Sequence, residues 1–293
     1  MNILNKISVY LEMMRRNNCL MASFAALLAV IIASGLLPDI STKETLTTGR
    51  VLVAVLSILL MVFLVTGAGN VLNDFYDIEI DRINRPDRAL PSGRVTPREA
   101  VILSTVCFVI GVLIGWWINI YALVIGVINI TLLILYAGKL KQTVLLGNMT
   151  VAYLTGSTFL FGGAFFGSEG FLTMIPLFLL SFLLTAAREI VKDIEDMEGD
   201  RACGAVTFPI RYGEKNGGYL AAFFMIIGGI LCPLPYLIGY FGYGYLIVIS
   251  VAALMLIYSL YLLLVKKDYT KTSRLLKISM FVALISFIAG IIF

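Results

Sequence analysis

The sequence contains no histidine, and its four cysteines (Cys19, Cys107, Cys203 and Cys232) are scattered with no C-x-x-C pair. Zinc, haem and thiol redox centres draw on those residue types, so their scarcity argues against all three. The cysteines read instead as small apolar packing residues. Charge is scarce too. Only 14% of the residues are Asp, Glu, Lys or Arg, where a soluble domain carries roughly 25%. No polar stretch is long enough to build a separate soluble domain. A cleavable leader is not expected either, because the first apolar run follows Arg15 and Arg16 and is long enough to span a bilayer.

Apolar residues fill the rest, at 60% of the chain. A helix of about 20 apolar residues crosses a bilayer, and the apolar runs predict nine spans, near 18–37, 51–73, 99–117, 118–138, 143–166, 171–191, 217–239, 243–265 and 274–293. The turn between the third and fourth, at Trp117-Ile118-Asn119, rests on length alone, since 99–138 is twice one span. Ahead of the first span, Ile3, Leu4, Ile7, Leu11 and Met14 recur at helical spacing beside Lys6, Arg15 and Arg16, which predicts a short interfacial helix. The expected architecture is therefore all-α and polytopic, one transmembrane domain over 1–293.

Charge placement orients the spans. With the N-terminus cytoplasmic, twenty Lys and Arg fall on that side and only Lys43 and Arg50 on the other. So strong a bias fits an odd number of crossings, with the C-terminus on the opposite face.

The cytoplasmic side also holds most of the acids. At the end of the second span stands Asn73-Asp74-Phe75-Tyr76-Asp77-Ile78-Glu79-Ile80-Asp81-Arg82, and at the end of the sixth Asp193-Ile194-Glu195-Asp196-Met197-Glu198-Gly199-Asp200-Arg201. Both contain D-x-x-D-x-x-x-D followed by Arg, at a constant offset of 119 residues. The offset spans four helices, an even number of crossings, so both copies emerge on the same face; an inverted repeat would have placed them on opposite faces. Spacing i, i+3, i+7 puts three carboxylates on one helical face. An acidic run at a helix end is commonly just solvated, but two identical runs at matching ends point to shared work. Carboxylates so crowded repel unless a hard cation relieves them, and Mg²⁺ suits because it binds through one or two carboxylates plus substrate phosphates.

Bases surround the acids: Arg82, Arg85 and Arg88 after the first motif, Arg188 and Lys192 before the second motif, Arg201 after it, and Lys139 and Lys141 in a neighbouring loop. Mixed with carboxylate-bound metal, they form the kind of clamp that a diphosphate needs. Topology alone accounts for Arg94, Arg98, Lys215 and the basic cluster near 266–277.

At these residues the chain resembles the UbiA superfamily of intramembrane prenyltransferases. Its N-D-x-x-D-x-x-x-D motif is met by Asn73, Asp74, Asp77 and Asp81, its R-P-x-x-x-L-P-S-G type sequence by Arg85 to Gly93, and its K-D-I-E-D-x-E-G-D form by Lys192 to Asp200. A Tyr…Leu-Lys stretch looks like Tyr136 with Leu140-Lys141, followed by Gly147-Asn148. The likeness covers nearly the whole chain, and is strongest to the branch that forms the second ether bond of archaeal membrane lipids. The resemblance implies nine helices around a central cavity with cytoplasmic cap loops. It also implies that Mg²⁺ bridges the six aspartates (Asp74, Asp77, Asp81, Asp193, Asp196, Asp200) and a prenyl diphosphate, and that Arg and Lys hold the leaving diphosphate. The implied acceptor is a lipid glycerol phosphate.

Other readings follow from the same motifs. An aromatic prenyltransferase of quinone biosynthesis would carry the same acids. A cation transporter would place its charges near the bilayer midplane, whereas here all six aspartates sit at span ends. The loops at 82–98 and 201–216, rich in Gly, Pro and charge, are expected to cap the site against water. No nucleic-acid or obligatory protein partner is indicated. Some of the 18 Phe and 14 Tyr are expected to line the prenyl tunnel, while most face lipid or the interface.

Overall fold

The computed structural model describes residues 3–37, 48–202 and 204–293; Lys43 and Cys203 lie outside the described residues, as do the side chains of Ile3, Leu4 and Arg50. Among the described residues every regular element is helical: α1 (Ile3–Met13), α2 (Arg16–Leu36), α3 (Thr48–Tyr76), α4 (Ile78–Asn84), α5 (Pro97–Ile118), α6 (Ile120–Gly138), α7 (Leu146–Ala164), α8 (Gly167–Thr173), α9 (Ile175–Glu195), α10 (Met197–Ala202), α11 (Phe208–Tyr212), α12 (Glu214–Leu231), α13 (Leu234–Leu237), α14 (Tyr243–Tyr261) and α15 (Tyr269–Ile292). The expected interfacial segment is α1.

The count of nine spans is approximate. Seven described helices are long and apolar enough to cross a membrane, and counting α8 with α9 as one span gives eight. The expected span at 143–166 is α7, which has 19 residues. It carries Asn148, Thr150, Thr155, Ser157 and Thr158 and is not among those seven. The sixth span is not continuous: helix breaks at Met174 and restarts with Pro176 in its first turn, where a missing backbone N–H is harmless.

The turn at Trp117-Ile118-Asn119 is a single residue. Asn119, extended at φ −176°, ends α5 and caps α6 by accepting the Ala122 backbone N–H at 2.9 Å. Its amide donates onward to the Ala164 carbonyl at 2.8 Å. An amide side chain can do both jobs, so no Gly or Pro is needed. At the other end of α5, Thr96 and Glu99 form a reciprocal capping box with Pro97 in the first turn, which fixes where the loop stops and the span begins.

The chain divides into two compact units, residues 1–139 with 158–173, and residues 140–157 with 174–293. In the first, α3 packs against α2, α5 and α6. Close approach depends on small residues, as in membrane bundles generally, because hydrocarbon provides no hydrophobic drive between helices. Val65 of α3 lies over Gly111 of α5, and Met61 covers both Gly115 and Gly126. In the second unit, Leu184, Ala187, Ile190 and Val191 of α9 meet Ala221, Ala222 and Met225 of α12, with Leu256, Leu263 and Leu276. Large apolar side chains such as Leu113, Trp116, Leu254 and Ile257 remain exposed, as helices facing hydrocarbon require.

Gly162 tests this packing. A Cβ there would sit 2.5 Å from the Ala26 carbonyl oxygen and 2.6 Å from the Ala29 Cβ. Gly162→Val should lower the thermal midpoint in detergent, corresponding to about 1–3 kcal/mol of overpacking. Gly218→Ala, with nothing within 4 Å of the added carbon, should leave the midpoint unchanged or raise it.

Candidate active site

The first motif lies in the first unit, where α3 runs out of the apolar region. Asp74 and Asp81 are both buried, on either side of a break at Asp77. Asp77 takes φ −93°, ψ 4° between α3 and α4. One arginine serves the two buried carboxylates: Arg88 Nη1 donates to Asp81 Oδ2 at 2.6 Å and to Asp74 Oδ1 at 3.2 Å. Arg15 Nη2 donates to the same Asp74 Oδ1 at 2.7 Å. The middle carboxylate turns elsewhere, and Asp77 Oδ2 accepts the Asn73 amide at 2.9 Å. The Asn73 Oδ1 oxygen is buried without a partner.

Arg88 reaches the acids because the chain after α4 folds back as a compact turn. Ser92 N–H bonds to the Arg88 carbonyl and Val95 N–H to the Ala89 carbonyl. Gly93 takes φ +72°, the left-handed conformation glycine adopts freely. Ala89, Leu90 and Val95 are buried, so the turn is anchored by apolar side chains on either side of the arginine. Arg94 fastens it from outside through two 2.8 Å bonds to Glu12 of α1. This pairing holds the Glu12 carboxyl below its usual range.

The second motif, in the second unit, repeats the break. Asp196 separates α9 from α10 at φ −91°, ψ 4°, within two degrees of Asp77. The hydrogen bonds match as well: Asp77 N–H to Asn73 O and Asp81 N–H to Asp77 O correspond to Asp196 N–H to Lys192 O and Asp200 N–H to Asp196 O. The repeat read from spacing therefore extends to the backbone. Each motif is a pair of helices hinged at its middle aspartate, not the uninterrupted helix that the spacing predicted.

Partners differ between the copies. Asp193 Oδ2 accepts the Asn148 amide at 2.8 Å, while Lys192 and Asp196 are exposed. Burial raises the Asp200 carboxyl above its usual range, the Asp196 charge adding to the effect and Lys192 opposing it. Arg188 Nη1 pairs with the adjacent Glu189 at 2.7 Å, leaving its Nε buried without a partner.

The remaining candidates differ in exposure. Arg82 bonds Glu79, both exposed, so it is occupied one turn away from the buried acids. Arg85, Lys139 and Arg201 are exposed, Tyr136 and Lys141 half-buried, and the Tyr76 ring lies 3.6 Å from where a Cβ on Gly138 would be. Among the described residues no three His, Cys, Asp or Glu side chains gather as a metal-holding group. The donor chemistry still fits a hard divalent cation: carboxylate oxygens, a buried amide oxygen without a donor, and no nitrogen or sulfur ligand among the motif residues.

Sequence reasoning gave Arg15 a topological role only, yet it contacts the motif directly. Its partner is 59 residues away, and no local pattern announces such a pairing. Asn148 carried a weak signal through the Gly147-Asn148 match.

Three comparisons bear on this geometry. Residues 21–285 match the model of the UbiA prenyltransferase family. A digeranylgeranylglyceryl phosphate synthase from Methanosarcina mazei is 48% identical over 97% of this chain and 99% of its own length. The namesake from Methanocaldococcus jannaschii is 42% identical over 99% and 98%. A solved structure concerned with digeranylgeranylglyceryl phosphate synthase in membranes superposes with TM-score 0.84 at 42% identity, covering 98% of each chain. A UbiA homologue from Archaeoglobus fulgidus, bound to GPP and Mg²⁺, shares the fold at TM-score 0.68 and 16% identity, over 97% and 98%.

Two of the three arginines after the first motif, Arg88 and Arg82, should separate cleanly. Arg88→Gln leaves the buried Asp81 without its arginine and Asp74 with Arg15 alone, and should lower prenyl transfer by about a hundredfold or more, given the cost of an unpaired buried charge. Arg82→Gln removes an exposed pair and should change transfer by no more than about threefold. Steady-state rates of the two purified variants decide this.

Proposed function

Because the chain belongs to the UbiA prenyltransferase family, we propose that it transfers a geranylgeranyl group, with Mg²⁺, from geranylgeranyl diphosphate to the free hydroxyl of geranylgeranylglyceryl phosphate. The product carries the second ether bond of archaeal membrane lipids. The observation that carries this reading is near-full-length identity of 48% to a synthase of that name, in a chain whose two acidic motifs repeat down to their backbone hinge.

Asp74, Asp77, Asp81, Asp193, Asp196 and Asp200 would hold the metal, with the Asn73 amide oxygen a further donor. Bound Mg²⁺ supplies positive charge to the diphosphate as the carbon–oxygen bond breaks. Arg88, together with Arg85, Arg188, Lys192, Arg201, Lys139, Lys141 and Tyr136, would provide donors for the departing phosphates; Arg82, held by Glu79, would add little. The electron pair of the breaking bond leaves with the diphosphate and an allylic cation remains. The acceptor oxygen bonds that carbon and releases its proton. With no histidine in the chain, a carboxylate, the diphosphate or water takes it.

The membrane setting suits both substrates: their prenyl chains belong in hydrocarbon and their phosphates at helix ends. The charge bias supports a cytoplasmic N-terminus and site, with the C-terminus on the opposite face. The Arg88 turn, docked by buried Ala89, Leu90 and Val95, supports the role of the 82–98 loop as a cap over the first motif.

Purified protein in detergent, given geranylgeranyl diphosphate, Mg²⁺ and geranylgeranylglyceryl phosphate, should form the diether phosphate. Product should vanish with EDTA and fall by at least about a hundredfold in Asp77→Ala and in Asp196→Ala. Transfer to 4-hydroxybenzoate alone would keep the enzyme class and replace the acceptor. Failure to bind the diphosphate at all would favour an ion transporter.

A further inference from the structure

The elbow between α1 and α2 is built to aim one side chain. Arg15, at the elbow, adopts φ 55°, ψ 59°, a left-handed conformation that non-glycine residues hold only when their surroundings impose it. Those surroundings are specific. The preceding Met14 carbonyl accepts the Asn70 amide at 2.9 Å and the Cys19 thiol at 3.0 Å. Arg15 N–H bonds to the Glu12 carbonyl at 3.0 Å, and the Glu12 carboxylate is itself held by Arg94. The strained residue delivers its guanidinium to Asp74 Oδ1, the oxygen that Arg88 also contacts. Between the elbow and α3 lies a cleft of about 300 Å³ lined by Glu12, Met13, Arg15, Asp74, Arg88 and Ala89.

Two guanidiniums, from Arg15 and Arg88, here balance two buried carboxylates, Asp74 and Asp81. A divalent cation on those carboxylates would compete with both arginines. Once displaced, each presents free N–H donors to the cleft, a pairing suited to the oxygens of a phosphoryl group. We propose that Arg15 is a phosphoryl-binding residue which Asp74 holds in reserve, freed by divalent-cation binding to grip a substrate phosphate in this cleft. The inference rests on the prenyltransferase reading of the motif. That phosphate is either the diphosphate of the donor or the phosphate monoester of the acceptor. Cation and anion then promote each other's binding, because each removes the other's competitor.

The test is equilibrium binding to the full chain in detergent, using Mn²⁺ alone by electron paramagnetic resonance, then inorganic diphosphate and glycerol phosphate by calorimetry at saturating Mn²⁺. Arg15→Gln should bind Mn²⁺ alone about 3–10-fold more tightly, since a competing cation is gone, yet bind one of the two anions about tenfold more weakly. Arg15→Lys, which keeps the charge without the fork, should fall between. A misfolded elbow would weaken both kinds of ligand, so the opposite signs set the proposal apart from a structural role. Loss confined to glycerol phosphate, matched by a raised KM for the lipid acceptor, identifies the monoester; loss confined to diphosphate identifies the donor. Unchanged or weaker Mn²⁺ binding, or undiminished binding of both anions, overturns the proposal. Wild-type protein that binds neither Mn²⁺ nor diphosphate overturns it together with the proposed function.

Discussion

A carboxylate at the end of a membrane-spanning helix loses water on the side that faces hydrocarbon, and a donor or a cation must replace that water at short range. Asp74 and Asp81, 7% and 6% exposed, are under this constraint, and the first unit is arranged around it. The Arg88 turn is folded back and docked by apolar side chains to serve both carboxylates. The N-terminal helix is tied down by the Lys6–Glu99 and Glu12–Arg94 pairs, and its elbow is strained to bring in Arg15. In the second unit the same demand at Asp193 is met by Asn148 of α7. That helix bears amides and hydroxyls at the expense of its own hydropathy.

A break at the middle aspartate gives each motif a common mechanical form. The outer carboxylates belong to different helical segments, so their separation is set by a hinge and not by helical pitch. Both hinges take nearly the same torsions, although the side chains answering them differ: arginines in one copy, an amide in the other. Duplicated backbone with divergent partners is what a divided task would need, one copy facing more positive charge than the other.

Much of this was legible in sequence because it is local or periodic. Apolar run length located the helices, and D-x-x-D-x-x-x-D at constant offset located both acidic ends. The Thr96-Pro97-Arg98-Glu99 box that starts α5 is equally local, yet the apolar run placed the start of that span at Glu99. What escaped was non-local or depended on one side chain. Arg15 looked like an interfacial charge because its partner is 59 residues distant. Asn119 gave no recognisable turn signal because it caps two helices at once. The break at Asp77 could not be read from an i, i+3, i+7 spacing that an unbroken helix also satisfies. The interruption at Met174 hid inside an apolar stretch, since hydropathy reports composition and not continuity.

The proposed prenyl transfer requires both acidic motifs to act on one metal-bound diphosphate. A double-mutant cycle tests it most directly: Mn²⁺-dependent binding of inorganic diphosphate to wild type, Asp77→Ala, Asp196→Ala and the double variant. If both motifs serve one ligand, each single variant should lose nearly as much binding free energy as the double, leaving a coupling of about 1 kcal/mol or more. Losses that simply add would mean two independent sites and would contradict the account.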